Sequence, residues 1–416
     1  MKIYEEENHV DASPDLKDHT RWLAGLLGTD FLLWSPHIQA EGFLHWERIF
    51  ATRKIACGPQ ASPLTESGEQ LEVRYEHLGR VRDVDDLMRD EHLSGLLVLR
   101  GDEVLVERYA LGLDRTSTWQ SSSMVKSLTS TLVGAAMHDG LIGSLDEFVT
   151  SHIPELKGTS YEGVTLRHLL TMTSGTSWTE NYEDLRADVV QKYLKPVAER
   201  RPGVILEALK TLPRAYEPGT RFAYNTGDTY LLSHVISRAV GTTVADYCSE
   251  KLWKPMGMDS DGYFMLDSDD GHEITGSCCG ASLRDYGRLG LLMMNDGVAN
   301  GRRILPEGWA AEATAPSAPA FEYDLWSLEN TGFTGYGYLW WVIRPNSFSA
   351  LGVYGQWIHV EPEHGLVVVM IGAMPRECYM DPAEAAAQIG GSQHGSPGRL
   401  AFIDAVCDRL KDVSGS

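Results

Sequence analysis

"LSGLLVLRGDEVLVERYALG", residues 93–112, and "SSSMVKSLTSTLVGAAMHDG", residues 121–140, decide how this chain folds. In the first stretch two β-rich runs flank Arg100-Gly101-Asp102, and the second run alternates Val104, Val106 and Arg108 against Glu103, Leu105 and Glu107. Period two around a glycine-bearing tip predicts a hairpin. In the second stretch the period changes. Val125, Leu128, Leu132 and Ala136 recur at three- and four-residue spacing until Gly140, which predicts a helix that opens near Ser123 and stops at the glycine.

Outward from this junction, residues 1–85 mix acidic, aromatic and loop-forming side chains without sustained periodicity, and are expected to form an N-terminal extension packing on the body. Residues 144–260 are mostly helical in pattern, broken by loops such as "TSGTSWTENYEDL". After about 275 the helix "SLRDYGRLGLLMMNDG" precedes the strand-like runs "YGYLWWVI", "VYGQWIHVEP" and "LVVVMIGAM", and an amphipathic helix, "RLAFIDAVCDRL", is expected to cover the sheet. Strands at both ends with helices between predict an α+β fold. Residues 86–122 and 275–416 would form a domain with an antiparallel sheet flanked by helices. Residues 123–274 would form an inserted, mostly helical domain, with an active site between the two.

Composition narrows the function. With 416 residues, 43% hydrophobic and 23% charged, the chain has the make-up of a soluble globular protein. A net charge of −22 repels phosphate backbones and anionic membranes, so neither nucleic acid nor membrane is an expected partner. The opening "MKIYEEENHVDASPDLKD" places glutamates where an export signal would carry its apolar core, and no apolar run reaches the length of a bilayer span, so a cytoplasmic location is expected. The six cysteines, Cys57, Cys248, Cys278, Cys279, Cys378 and Cys407, lack CxxC spacing and are read as reduced thiols, with Cys278 and Cys279 as small buried residues beside a glycine. The fourteen histidines form no ligand-spaced cluster, and His168 in "LRHLL" is read as a packed helix residue. No metal or cofactor is expected; whether the chain forms a homo-oligomer is left open.

A serine hydroxyl is a poor nucleophile until a base removes its proton. Ser123 and Lys126 lie on one helical face, whereas Ser121 and Ser122 have Met124 and Val125 at that spacing. At a helix N-terminus the unpaired N–H groups would stabilise an oxyanion, and burial would drive the lysine toward its neutral, proton-accepting form. A serine cap followed by a solvated lysine fits the same letters. Tyr224, in "PGTRFAYNTGDTYLL", either relays protons beside that lysine, whose charge would ease its ionisation, or merely satisfies a loop. Gly352 and Gly355, in "SALGVYGQWIHVEP", mark either a bulge or a close approach at which the N–H of Val353 joins that of Ser123 as an oxyanion hole. There is no G-x-S-x-G elbow, H-E-x-x-H, P-loop or G-x-G-x-x-G after a strand.

The order Ser123-Met-Val-Lys126, Tyr224-Asn225-Thr226, Gly352-Val-Tyr-Gly355 resembles the serine β-lactamase and penicillin-binding-protein superfamily in its class C-like branch. "VTLRHLLTMTSG", "GASLRDYGRLGLLMMNDG" and "GYGYLWWV" are similar in kind, and the chain resembles in particular the 6-aminohexanoate-dimer hydrolase group, over roughly residues 90 to 412. The resemblance implies a β-lactamase/DD-peptidase-like fold with Ser123 as the acylated nucleophile. Lys126 and Tyr224 become a coupled proton-handling pair, and the N–H groups of Ser123 and Val353 the oxyanion hole. Tyr182 matches a tyrosine that approaches the scissile amide in that group; Trp178, Thr226, Gly352 and Tyr354 are further expected substrate contacts.

Two departures bear on the substrate. Thr226 stands where the family often has asparagine. Ala350-Leu351-Gly352 stands where Lys-Thr-Gly is common, so the cation that would grip a β-lactam carboxylate is missing. Trp178, Tyr182, Tyr323, Trp326 and Trp341 are expected to line an aromatic pocket. The expected activity is hydrolysis of a small-molecule amide or ester through an acyl-enzyme on Ser123. The alternatives are an acyltransferase using the same intermediate and a non-catalytic binding protein that keeps the fold. The complete serine, lysine and tyrosine set favours an enzyme.

Overall fold

A computed structural model describes residues 34, 36–68, 70–182, 184–316, 334–374 and 397–414. The hairpin is formed by Leu93–Arg100 and Glu103–Tyr109, with Arg100 opposite Glu103 and Gly101 at φ +58° in the turn. Positive φ there matches the right-handed twist of the flanking strands. These strands lie at the heart of an eight-stranded sheet. Leu366–Gly372 pairs antiparallel with Leu93–Arg100, and Gln356–Glu361, Phe348–Gly352, Trp341–Val342 and Gly335–Tyr336 follow outward in that order. The sheet is therefore assembled from two distant parts of the chain. Among the described residues, its only departure from antiparallel pairing is at the far edge, where the short strand Thr65–Glu66 runs parallel to Glu103–Tyr109.

The helix Leu283–Met294 lies against this sheet, and two glycines set how close it comes. A Cβ on Gly287 would sit 2.8 Å from a Leu97 methyl and one on Gly290 2.5 Å from a Val367 methyl, distances that real side chains do not reach. The helix Pro397–Ser414 buries Phe402, Ile403 and Val406, with Phe402 edge-on to Tyr75 at 5.8 Å. It covers the small hairpin of Tyr75–His77 and Arg80–Arg82 and the helix Val84–Asp90 beside the main sheet. Its Arg399 reaches further, pairing with Glu91 at 2.8 Å while donating to the carbonyl of Gly355 at 3.0 Å. That buried contact fixes the turn carrying Val353.

From Val125 to Met256 the described helices and strands are all helical, the longest being Val125–His138 and Thr226–Val240, which pack on each other. The strand Gly262–Met265 then pairs with Cys279–Ala281, so residue 275 falls inside a β-pair. This second, four-stranded sheet also takes in Trp119–Gln120 and Thr52–Ile55. Residues before 85 thus supply strands to both sheets, and the aromatic side chains Trp46 and Phe50 sit in the core.

Candidate active site

The 3₁₀ turn Ser122–Met124 leads into the helix Val125–His138 and gives the three consecutive serines different tasks. Ser121 Oγ donates to the Ser122 carbonyl and accepts from the Cys279 N–H, both at 2.9 Å. Ser122 Oγ donates to Gln120 Oε1 at 3.1 Å. Ser122 also holds φ at +43°, a left-handed conformation that costs a non-glycine residue on the order of 1 kcal/mol and is over-determined by these contacts. Ser123 differs: it is partly exposed, lines a pocket, and its Oγ lies 3.0 Å from Lys126 Nζ.

Gly352 explains how the sheet reaches this turn. A Cβ there would stand 2.4 Å from the Ser121 carbonyl oxygen and 3.0 Å from the Ser123 nitrogen, so the strand end can lie against the serine turn only because the side chain is missing. Val353 follows and lines the same pocket as Ser123. Gln356 ties the turn together, its Nε2 donating to the carbonyls of Val353 at 3.2 Å and Tyr354 at 2.9 Å.

Lys126 is 2% exposed, and its ammonium also donates to the Gly276 carbonyl. Burial pulls its pKa down to about 8, with the charge of Glu180 opposing. The neutral amine is therefore accessible, at about one molecule in ten at pH 7. Tyr224 hydrogen-bonds Ser123, its ring centroid is 5.0 Å from Lys126 Nζ, and it stacks on Trp341 at 5.8 Å. Its phenol does not ionise more readily, as the proximity of a lysine alone would suggest. Burial pushes its pKa well up, the Glu180 carboxylate adds to that, and the bond to Ser123 only partly offsets them. Tyr224 thus holds its proton at neutral pH.

The residue that sequence reasoning missed is Glu180, 7% exposed. Its Oε1 accepts from the hydroxyls of Tyr182, at 2.6 Å, and Thr226; its Oε2 accepts from the Thr226 N–H, at 3.1 Å, and the Trp178 indole. Trp178, Glu180 and Tyr182 alternate along the chain, and spacing two in an extended segment places side chains on one side. That alternation was the available signal.

The remaining expected residues divide. Tyr182 and Thr226 line the pocket with Ser123, and Gly352 abuts the serine turn. Trp178 is not in the pocket wall but behind it, on Glu180. Tyr354, expected as a substrate contact, is not among the residues lining the pocket. At 4% exposed it packs on Phe43 at 5.6 Å, because the turn at φ +65° sends its ring toward the N-terminal helix Pro36–Leu44. Trp341 stacks on Tyr224, while Tyr323, Trp326 and Cys378 lie outside the described residues. His168 Nδ1 accepts from the Thr165 N–H at 3.2 Å and so caps its own helix. Burial pushes the Cys278 thiol well up, leaving it protonated in the pocket wall. Among the described residues no three His, Cys, Asp or Glu side chains gather as a metal site, and no helix is long and apolar enough to cross a membrane.

Comparison with known proteins gives a consistent picture. A sequence profile of the family described as Beta-lactamase matches residues 81–375. The 6-aminohexanoate-dimer hydrolase of Paenarthrobacter ureafaciens is 29% identical over 317 residues, 73% of this chain and 78% of that protein. A solved Bacillus anthracis chain named for the same hydrolase superposes with a TM-score of 0.75 at 20% identity, over 93% of this chain and 98% of its own. A family VIII carboxylesterase superposes with a TM-score of 0.56 at 16% identity, over 78% of this chain and 94% of its own.

Proposed function

The chain belongs to the β-lactamase family of serine hydrolases, and we propose that it cleaves a small-molecule amide or ester through an acyl-enzyme on Ser123. The observation that carries this reading is the 3.0 Å contact between Ser123 Oγ and a buried lysine whose pKa is held near 8. Neutral Lys126 takes the Ser123 proton as Oγ attacks the carbonyl carbon. The oxyanion accepts from the N–H groups of Ser123 and Val353. Tyr224, still protonated, gives its proton to the leaving nitrogen or oxygen and is reprotonated by the Lys126 ammonium. Water then attacks the acyl carbon, passing its proton to the same pair, which returns it to Ser123 Oγ as the acyl C–O bond breaks and the acid leaves.

A 4-nitrophenyl acetate assay with intact-protein mass measurement tests this. Wild type should release nitrophenol and, quenched at early times, carry one acetyl group on the peptide containing Ser123. Ser123→Ala, with an unchanged circular dichroism spectrum, should do neither. Undiminished turnover in the variant would end the assignment.

A further inference from the structure

The pocket beside Ser123 opens to solvent and, counted with its solvent-facing part, offers about 580 Å³ of empty space. Most of its wall is apolar: Trp46, Phe50, Val189, Leu194, Val197 and Ile274. Among the described residues, no lysine, arginine, histidine, aspartate or glutamate lines it. Most polar groups in the wall have partners elsewhere, while Gln120 Nε2 is buried without one. Gln120 accepts from Ser122, the Thr226 hydroxyl donates to Glu180, and Ser277 Oγ accepts from Tyr193 at 3.4 Å. Trp46 Nε1 donates to Met265 Sδ at 3.3 Å, and its ring lies 4.4 Å from Phe50, so the N-terminal segment presents hydrocarbon. Glu180 lies one layer behind, with four donors already on its carboxylate.

The pocket also has a direction. Ser123 and Val353 are in its wall, but Lys126, Tyr224 and Trp341 are not. Tyr224 is the group placed to protonate the leaving atom, so the leaving group points toward Tyr224 and away from this wall. We infer that the pocket is the acyl subsite and that it selects an uncharged, aliphatic acyl group. A charge at the far end of the acyl chain would be desolvated there with no partner. Each methylene taken up removes apolar surface from water. The inference rests on Ser123 being the acylated residue.

The test is a set of 4-nitrophenyl esters: acetate, butyrate and hexanoate, with 6-aminohexanoate and the adipate half-ester as cationic and anionic chains of the same length as hexanoate. For wild type, kcat/KM should rise about fourfold per added methylene, and both charged esters should fall at least about tenfold below hexanoate. Val197→Phe, which narrows the pocket, should lower the hexanoate-to-acetate ratio; Phe50→Ala should move the optimum to longer chains. The wild-type series decides the matter if either variant fails to fold. Equal kcat/KM for acetate and hexanoate, or a charged ester matching hexanoate, overturns the inference. An acetyl adduct on Ser123 without chain discrimination sinks the acyl subsite alone. Absence of any adduct from every ester sinks the nucleophile assignment beneath it.

Discussion

Thr226 donates twice to Glu180, from its backbone N–H at 3.1 Å and from its hydroxyl. With Trp178 and Tyr182 adding one donor each, the four acceptor directions of the carboxylate are filled. None is left to activate water or hold a substrate. Its influence on the nucleophile runs through charge, which raises the pKa of Lys126 and of Tyr224. Replacing Glu180 by glutamine should therefore shift the acid limb of the kcat/KM profile to lower pH, since the amine then loses its proton more easily. The amide nitrogen will face donors, costing about 1–3 kcal/mol of stability. Paired pH–rate profiles and melting curves separate the two effects: a purely structural role lowers the melting temperature without moving the limb.

In the wild type that acid limb should have its midpoint near the Lys126 value of about 8, because activity requires the neutral amine. Tyr224→Phe should leave a limb of the same origin but reduce kcat by about 10²–10⁴. The loss should be larger for amides than for nitrophenyl esters, whose leaving group needs no proton. Comparing kcat for an anilide and a nitrophenyl ester of one acid measures this difference directly.

Gly352→Ala should damage catalysis more than folding. Its Cβ would meet backbone, the Ser121 carbonyl oxygen at 2.4 Å, and backbone cannot rotate away as a side-chain tip would. The strand end must retreat, carrying Val353 from Ser123. Overpacking of this kind costs about 1–3 kcal/mol, while loss of one oxyanion donor lowers kcat by about 10²–10³. Melting temperature and the single-turnover acylation rate report the two separately.

How much of this was legible in the sequence depends on the range of the contact. The hairpin at 93–109 and the helix from Val125 follow from local period, and Gly140, at φ +72°, ends the helix where expected. The Ser123–Lys126 contact spans one helical turn, so spacing alone could suggest it. Tyr224 and Gly352 come from distant segments, and only the resemblance connected them to Ser123. Glu180 escaped because its partner Thr226 is 46 residues away, and a lone acidic residue in a loop reads as solvated. The described part of the segment before residue 85 has no strong period because its strands are short, and of its apolar residues Trp46 and Phe50 face the pocket. Tyr354 follows Val353 in the chain, but the turn at φ +65° sends its ring onto Phe43, which no local pattern announces.

Asp228 offers a test of how the Tyr224 turn is anchored. It is wholly buried, and its Oδ1 accepts from the Tyr161 hydroxyl at 3.0 Å and the Asn225 amide at 3.1 Å, next to Tyr224 in the chain. Burial raises its pKa from 3.8 to about 7; bonds from Ser174 and Tyr161 partly offset this, and Glu180 adds to it. Between those two values the folded protein binds a proton that the unfolded chain has released. Stability therefore falls as pH rises through this window, by on the order of 4 kcal/mol in all, and stays lower above it. Asparagine is nearly the same shape, keeps an oxygen for Tyr161 and does not titrate. Asp228→Asn should consequently be close to neutral at pH 5 and stabilising at pH 8. Urea unfolding at both pH values measures it: the gain must grow with pH, and an equal effect at both would mean that the carboxyl titrates alike in the folded and unfolded chains.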